Sequence, residues 1–183
     1  MNPKDDQAKA SIDHAKDLVI ESLAETMDLY GVTRSVGNLY GTMYFEEDMT
    51  LDEMREKLEM SKPSMSTGVK KLQEFDIVKK TFSRGSRKHT YVAEKDFFRF
   101  FNKFFTQKWE REVKLNMEAI ERAQQKLVEV IHSEDTSDEL KNEAVNIFEQ
   151  LEHSKPYYHW LNELVNGIRT GKIFEAFPVN KEE

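Results

Sequence analysis

The sequence predicts a mainly α-helical chain that carries one small β-hairpin, with long helices following it. Three observations predict this. The first is a capping box, Thr50-Leu51-Asp52-Glu53, in which the threonine hydroxyl accepts from the backbone N–H of Glu53 while that carboxylate reaches back, so a helix must start there. Its apolar positions Leu51, Met54 and Leu58 share one side, and Ser61 offers a new N-cap directly after Glu59-Met60. Two helices are therefore joined by a very short turn. The second observation is an alternating run, Ile77 to Phe82, and a returning one, His89 to Ala93, with Gly85 in the turn between them. The third is the stretch from Asp96 to Ile131, which has no Gly or Pro and permits a helix of roughly 50 Å at about 1.5 Å per residue. Helix, short turn, helix and hairpin make a winged helix-turn-helix.

The other elements follow in chain order. Residues 1–10 are polar and read as a frayed tail; residues 11–49 hold two N-terminal helices. In the first, Ile12, Ala15, Val19, Leu23, Met27 and Tyr30 recur at steps of three and four, and Gly31 stands where a left-handed terminator is wanted. The second spans 34–45, with Val36, Leu39, Tyr40, Met43 and Tyr44 as its apolar side. Residues 50–95 form the winged lobe. Its second helix, 62–75, tolerates Pro63 in the first turn and buries Met65, Val69 and Leu72. Residues 96–183 supply long dimerisation helices. One is capped by Asp96 and striped by Phe101, Phe105, Trp109, Val113, Met117, Ile120, Leu127 and Ile131. A second capping box, Thr136 to Glu139, opens the other, and Pro156 predicts a kink or restart near His153.

The net charge of −7 argues against nucleic acid until it is mapped along the chain. From Lys62 to Lys95 nine Lys or Arg face three acids, giving +6, so the remainder carries −13. A basic segment on an acidic body suits a protein that presents one face to phosphates. Around the buried stripe of the second lobe helix, Ser64, Ser66, Thr67, Lys70 and Lys71 face outward, with Lys62 at the helix start. Small hydroxyls approach base edges closely while lysines reach the backbone on either side. Arg84, Arg87 and Lys88 surround Gly85 at the hairpin tip, where a wing's arginines enter a minor groove. These nine residues are the candidate contacts to a double-stranded DNA operator.

Met60-Ser61-Lys62-Pro63-Ser64-Met65-Ser66-Thr67-Gly68-Val69-Lys70, with Gly85-Ser86-Arg87-Lys88 and the upstream Leu39-Tyr40-Gly41-Thr42-Met43-Tyr44-Phe45, resembles the GbsR branch of MarR-type regulators. The resemblance implies a homodimeric winged-helix repressor, joined by its terminal helices, that controls glycine betaine synthesis or choline and betaine uptake genes. One departure lies in the turn. MarR-like sequences often have glycine where this chain has Glu59, and a left-handed residue there costs roughly 1 kcal/mol, so a slightly different turn is expected.

The chain has 20 aromatic residues, and they cluster. Tyr44, Phe45 and Tyr91, with Phe97, Phe98 and Phe101, border the junction where a MarR-like arrangement puts its effector cavity. Aromatic faces hold quaternary ammonium ions by cation–π attraction, so choline or a related amine is the expected effector. Each of these rings also has a plain reading as core. The later cluster of Tyr157, Tyr158 and Trp160 reads as dimer interface.

Catalysis finds no support. The five histidines show no metal spacing, there is no cysteine, and no nucleophile or phosphate-loop pattern occurs, so the chain reads as a non-enzyme without metal or cofactor. No run of about 18 apolar residues exists and the first residues are charged, which reads as cytoplasmic without membrane contact. The alternative from another class is a helical adaptor whose winged helix contacts protein.

Overall fold

The computed structural model describes residues 2–82 and 89–179, which divide into two compact units, Met1–Phe100 and Phe101–Glu183. Among the described residues no helix is long and apolar enough to cross a membrane.

In the first unit, helix α1 (Pro3–Leu29) begins earlier than its sequence suggests. Of the expected tail, residues 2–10 are not a lead-in to the helix but its start: Asn2 caps it by accepting from the Lys4 amide, and Pro3 supplies a preset φ in the first turn. Those first turns are nevertheless fully exposed. Gly31, at φ +79°, ends the helix in the left-handed conformation that the sequence called for.

Helix α2 (Arg34–Tyr44) packs on α1 through glycine. A Cβ at Gly37 would lie 2.7 Å from the Ala24 Cα, and one at Gly41 would lie 3.1 Å from the Ile20 Cα. The two backbones therefore approach at a distance that only glycine permits. Of the apolar stripe expected on α1, Met27 is buried and Leu23 half-buried, whereas Ile12 and Val19 stay exposed. The buried face is shifted toward Ile20 and Ala24, because that is where the glycines of α2 come close.

Strand β1 (Met49–Thr50) leads into α3 (Leu51–Leu58), and both halves of the Thr50–Glu53 capping box are present. Helix α4 (Lys62–Glu74) follows, capped by Ser61. Strands β2 (Val78–Phe82) and β3 (His89–Ala93) form the hairpin. The sheet is antiparallel in the order β1-β3-β2, with Met49 opposite Tyr91 and Lys80 opposite Tyr91 on the other side. Two-residue β1 leaves no alternation for a sequence reading to find. The core of this unit is rich in methionine: Met27, Met43, Met54 and Met65 are almost completely buried beside Leu39, Leu72 and Ile77.

Tyr40 ties the unit together. Its fully buried ring packs on Phe100 at 5.2 Å, and its hydroxyl donates to the Glu94 carbonyl at 2.6 Å. Burial pushes this phenol well above the ordinary tyrosine range, so it remains a donor at all physiological pH.

In the second unit, α5 (Phe97–His132), which starts in the first, runs antiparallel to α6 (Asp138–Arg169), and α7 (Ile173–Ala176) follows. The Asp96 carboxylate caps α5 by accepting from the Phe98 and Arg99 amides. The Asn102 amide donates to the Ile168 carbonyl at 2.7 Å, Arg169 pairs with Glu110, and Gln124 donates to Glu152, so the hairpin's register is fixed along its length. Two expectations are corrected here. The cap of α6 is Ser137, one residue beyond the Thr136 of the expected box, and Leu140 therefore occupies the position a box gives to glutamate. The helix also passes through Pro156 without a restart. Ser154 donates back to the Leu151 carbonyl instead of capping a new helix, and packing along α5 holds the segment helical on both sides.

Candidate nucleic-acid interface

Helices α3 and α4 and the sheet position the basic surface. The turn between the helices is closed by Glu59 at φ 52° and ψ 30°, a left-handed residue carrying a full side chain. The expected departure in turn geometry does not occur; the chain takes up the conformation that glycine would adopt freely and bears the strain. Behind α4, Met65, Val69 and Leu72 are buried, and Gly68 admits Leu39, whose side chain would lie 3.1 Å from an added Cβ. That packing orients the opposite side of α4 outward.

On that side Ser64, Thr67 and Lys70 are exposed, while Ser66 and Lys71 are half-buried, and Lys62 is exposed at the start of the helix. The Ser64 hydroxyl lies 2.8 Å from that of Ser61 and shares its hydrogen bonding, which holds it at the helix N-terminus. Amide groups at that terminus favour an approaching phosphate. Lys71 is less available than its sequence position suggests. Its ammonium pairs with Glu74 at 3.0 Å and stands 5.0 Å from the centre of the Phe75 ring. Lys70 is the better phosphate ligand of the two. Arg84, Arg87 and Lys88 lie outside the described residues.

Two lysines not singled out in the sequence join this surface: Lys79 and Lys80 are both exposed on the edge strand β2. Their signal was the basic run leading into the hairpin tip. An edge strand also gains from lysine, which discourages pairing with another chain. The base of α3 is tied to the end of α2 by Lys57 and Glu46, and the hydrogen bond from Lys57 holds that carboxyl below the usual glutamate range.

The aromatic candidates are only partly brought together. Tyr44 meets Phe45 edge-on and stacks on Phe97, each at 5.2 Å between ring centres. Phe97 and Phe98 are about half exposed. The Lys16 ammonium stands 5.9 Å from the Phe45 ring, so that ring already faces a cation from within the chain. Tyr91 is buried in β3, and Phe101 packs on Phe105 in the second unit. Among the described residues no three His, Cys, Asp or Glu are grouped so as to hold a metal ion.

A family described as GbsR family transcriptional regulator, C-terminal helical hairpin, matches residues 97–175. The HTH-type transcriptional repressor GbsR of Bacillus subtilis (strain 168) is 64% identical over 170 residues, covering 93% of this chain and 94% of that protein. This chain belongs to the GbsR family. The HTH-type transcriptional repressor OpcR of the same organism is 29% identical over 172 residues, 93% of each chain. A solved structure described as a transcriptional regulator gives a TM-score of 0.48 at 15% identity, over 83% of this chain and 99% of that one. The GbsR family is one of transcriptional regulators, and the chain is a DNA-binding member built on a mainly helical winged helix-turn-helix. The adaptor alternative is not favoured.

Proposed function

We propose that this GbsR-family protein is a repressor that binds a double-stranded operator as a homodimer, controls genes of glycine betaine synthesis or choline and betaine uptake, and answers to choline. The observation that carries the DNA contact is the exposed row of Ser64, Thr67 and Lys70 on a helix whose other side is locked into the core. In this reading residues 50–95 are the contacting lobe and residues 96–183 the dimerisation helices. Lys62, Ser64, Ser66, Thr67 and Lys70 meet the major groove, Lys71 assists, and Arg84, Arg87 and Lys88 reach the minor groove from the tip. The dimer reading is supported by the large apolar side chains left exposed on α1 and α6, including Ile12, Val19, Leu140, Tyr157 and Trp160. Tyr44, Phe45 and Phe97 are the strongest walls for a quaternary amine; Tyr91, Phe98 and Phe101 are the outer candidates.

Selection from a random duplex pool tests the whole reading. It should recover a roughly palindromic site with half-sites about one helical turn apart, and choline should change the affinity for that site. Choline itself should bind at micromolar to millimolar concentration, and Tyr44→Ala should weaken it by about 5- to 30-fold. Recovery of no preferred duplex refutes the operator reading, and a Tyr44→Ala variant that binds choline like its parent refutes the cage.

A further inference from the structure

Phe82 ends β2 with 77% of its surface exposed, although it shares a strand face with residues that are buried. On that face Val78 is 2% exposed and Tyr91, in the neighbouring strand, 8%. Alternation along the strands puts Val78, Lys80 and Phe82 on one side together with their partners Ala93, Tyr91 and His89. That face is buried at Val78, Ala93 and Tyr91 and turns outward at Lys80, Phe82 and His89. His89 meets the Phe82 ring edge-on, at 5.1 Å and 80°, and so fixes the ring's orientation where no core packs against it.

We propose that Phe82 is a further DNA-binding residue, whose ring packs on the deoxyribose edge of the duplex beside α4, with His89 as its positioning residue. Charge selects this occupant over another protein. Lys80 stands exposed on the same face two residues before Phe82, and Lys79 is exposed beside it on the edge strand. Lysine is depleted in the centres of protein interfaces, whereas a ring next to an exposed lysine on a basic edge strand matches a polyanion that also offers apolar sugar faces. The proposal rests on the reading of this lobe as the DNA-contacting one.

Fluorescence anisotropy with a labelled mixed-sequence duplex of about 30 base pairs tests it, over a range of salt concentrations. Phe82→Ala should weaken binding by about 5- to 30-fold while leaving the salt slope unchanged, because a ring releases no counterion. Phe82→Trp should bind like the parent. His89→Ala should lose part of the affinity, and His89→Phe, which can still meet the ring edge-on, should restore it. Circular dichroism controls for folding. Lys70→Ala serves as the reference: it should reduce the slope. If Lys70→Ala reduces the slope and Phe82→Ala binds like the parent, this inference is wrong and the lobe reading stands. If neither variant alters binding, the lobe reading itself fails. A Phe82→Ala variant that sediments as a different oligomer while binding DNA normally assigns the ring to a protein contact and overturns the proposal.

Discussion

The two units of this protein are built on different principles. The first closes a dense core from short elements, with four nearly inaccessible methionines and a buried Tyr40 that bonds the backbone at Glu94. The second is a pair of long helices that buries few side chains, chiefly Phe104, Ile120, Leu161, Val165 and Ile168. It leaves Leu115, Leu140, Ile147, Tyr157 and Trp160 exposed. A single layer of two helices has no second layer against which to bury both faces, so apolar surface remains exposed. The comparison teaches that the first unit closes a core within itself, while the second leaves one face of its helices open, the face that the proposed dimer would cover.

The largest expected effect probes that face. Tyr157→Ala combined with Trp160→Ala should raise the dimer dissociation constant by at least about 30-fold, the loss typical of an aromatic hot spot worth 2 kcal/mol or more. Analytical ultracentrifugation measures it. An unchanged constant moves the interface away from this end of α6.

The same substitution made in each unit should then give opposite signs. Gly37→Ala drives a Cβ to 2.7 Å from the backbone of Ala24 and should destabilise by about 1–3 kcal/mol, despite alanine's better helix propensity. Gly167, in α6, has no atom within 4 Å of an added Cβ, so Gly167→Ala should stabilise by up to about 1 kcal/mol. Urea unfolding of both variants decides the matter. Loss of stability in both would mean that α6 is as tightly packed as the α1–α2 crossing.

The smallest effect lies in the turn. Glu59→Gly should stabilise the first unit by up to about 1 kcal/mol, since glycine adopts φ 52° without strain. A rise of a few degrees in the melting temperature is expected, and a fall would show that the glutamate side chain makes a compensating contact.

Much of this architecture was legible because its signals are local. A capping box, an N-cap three residues beyond a helix end, and alternating strands each specify geometry within a few residues, and α3, α4, β2 and β3 follow from them. Long-range facts were not legible. The shift of α1's buried face toward Ala24 depends on Gly37 and Gly41 of another helix, and β1 exists only because Met49 finds Tyr91 in a strand far along the chain. Pro156 signalled a break in the local code, but packing along α5 overrode it. At the candidate interface the outward positions of α4 could be read from periodicity, whereas the engagement of Lys71 by Glu74 and Phe75 could not. The aromatic residues were visible as a group, yet only the geometry separates Tyr44, Phe45 and Phe97 from buried Tyr91.

The central claim is that the exposed side of α4 meets the phosphates of DNA, and the dependence of affinity on salt tests it most directly. Each phosphate neutralised by a lysine contributes about 0.9 to the slope of log K against log salt concentration. Lys70→Ala should therefore flatten the slope by about one unit, and the further change Lys71→Ala should add less than another unit, because that ammonium is already paired within the helix. Slopes identical to the parent's in both variants would take these lysines off the DNA backbone and contradict the account.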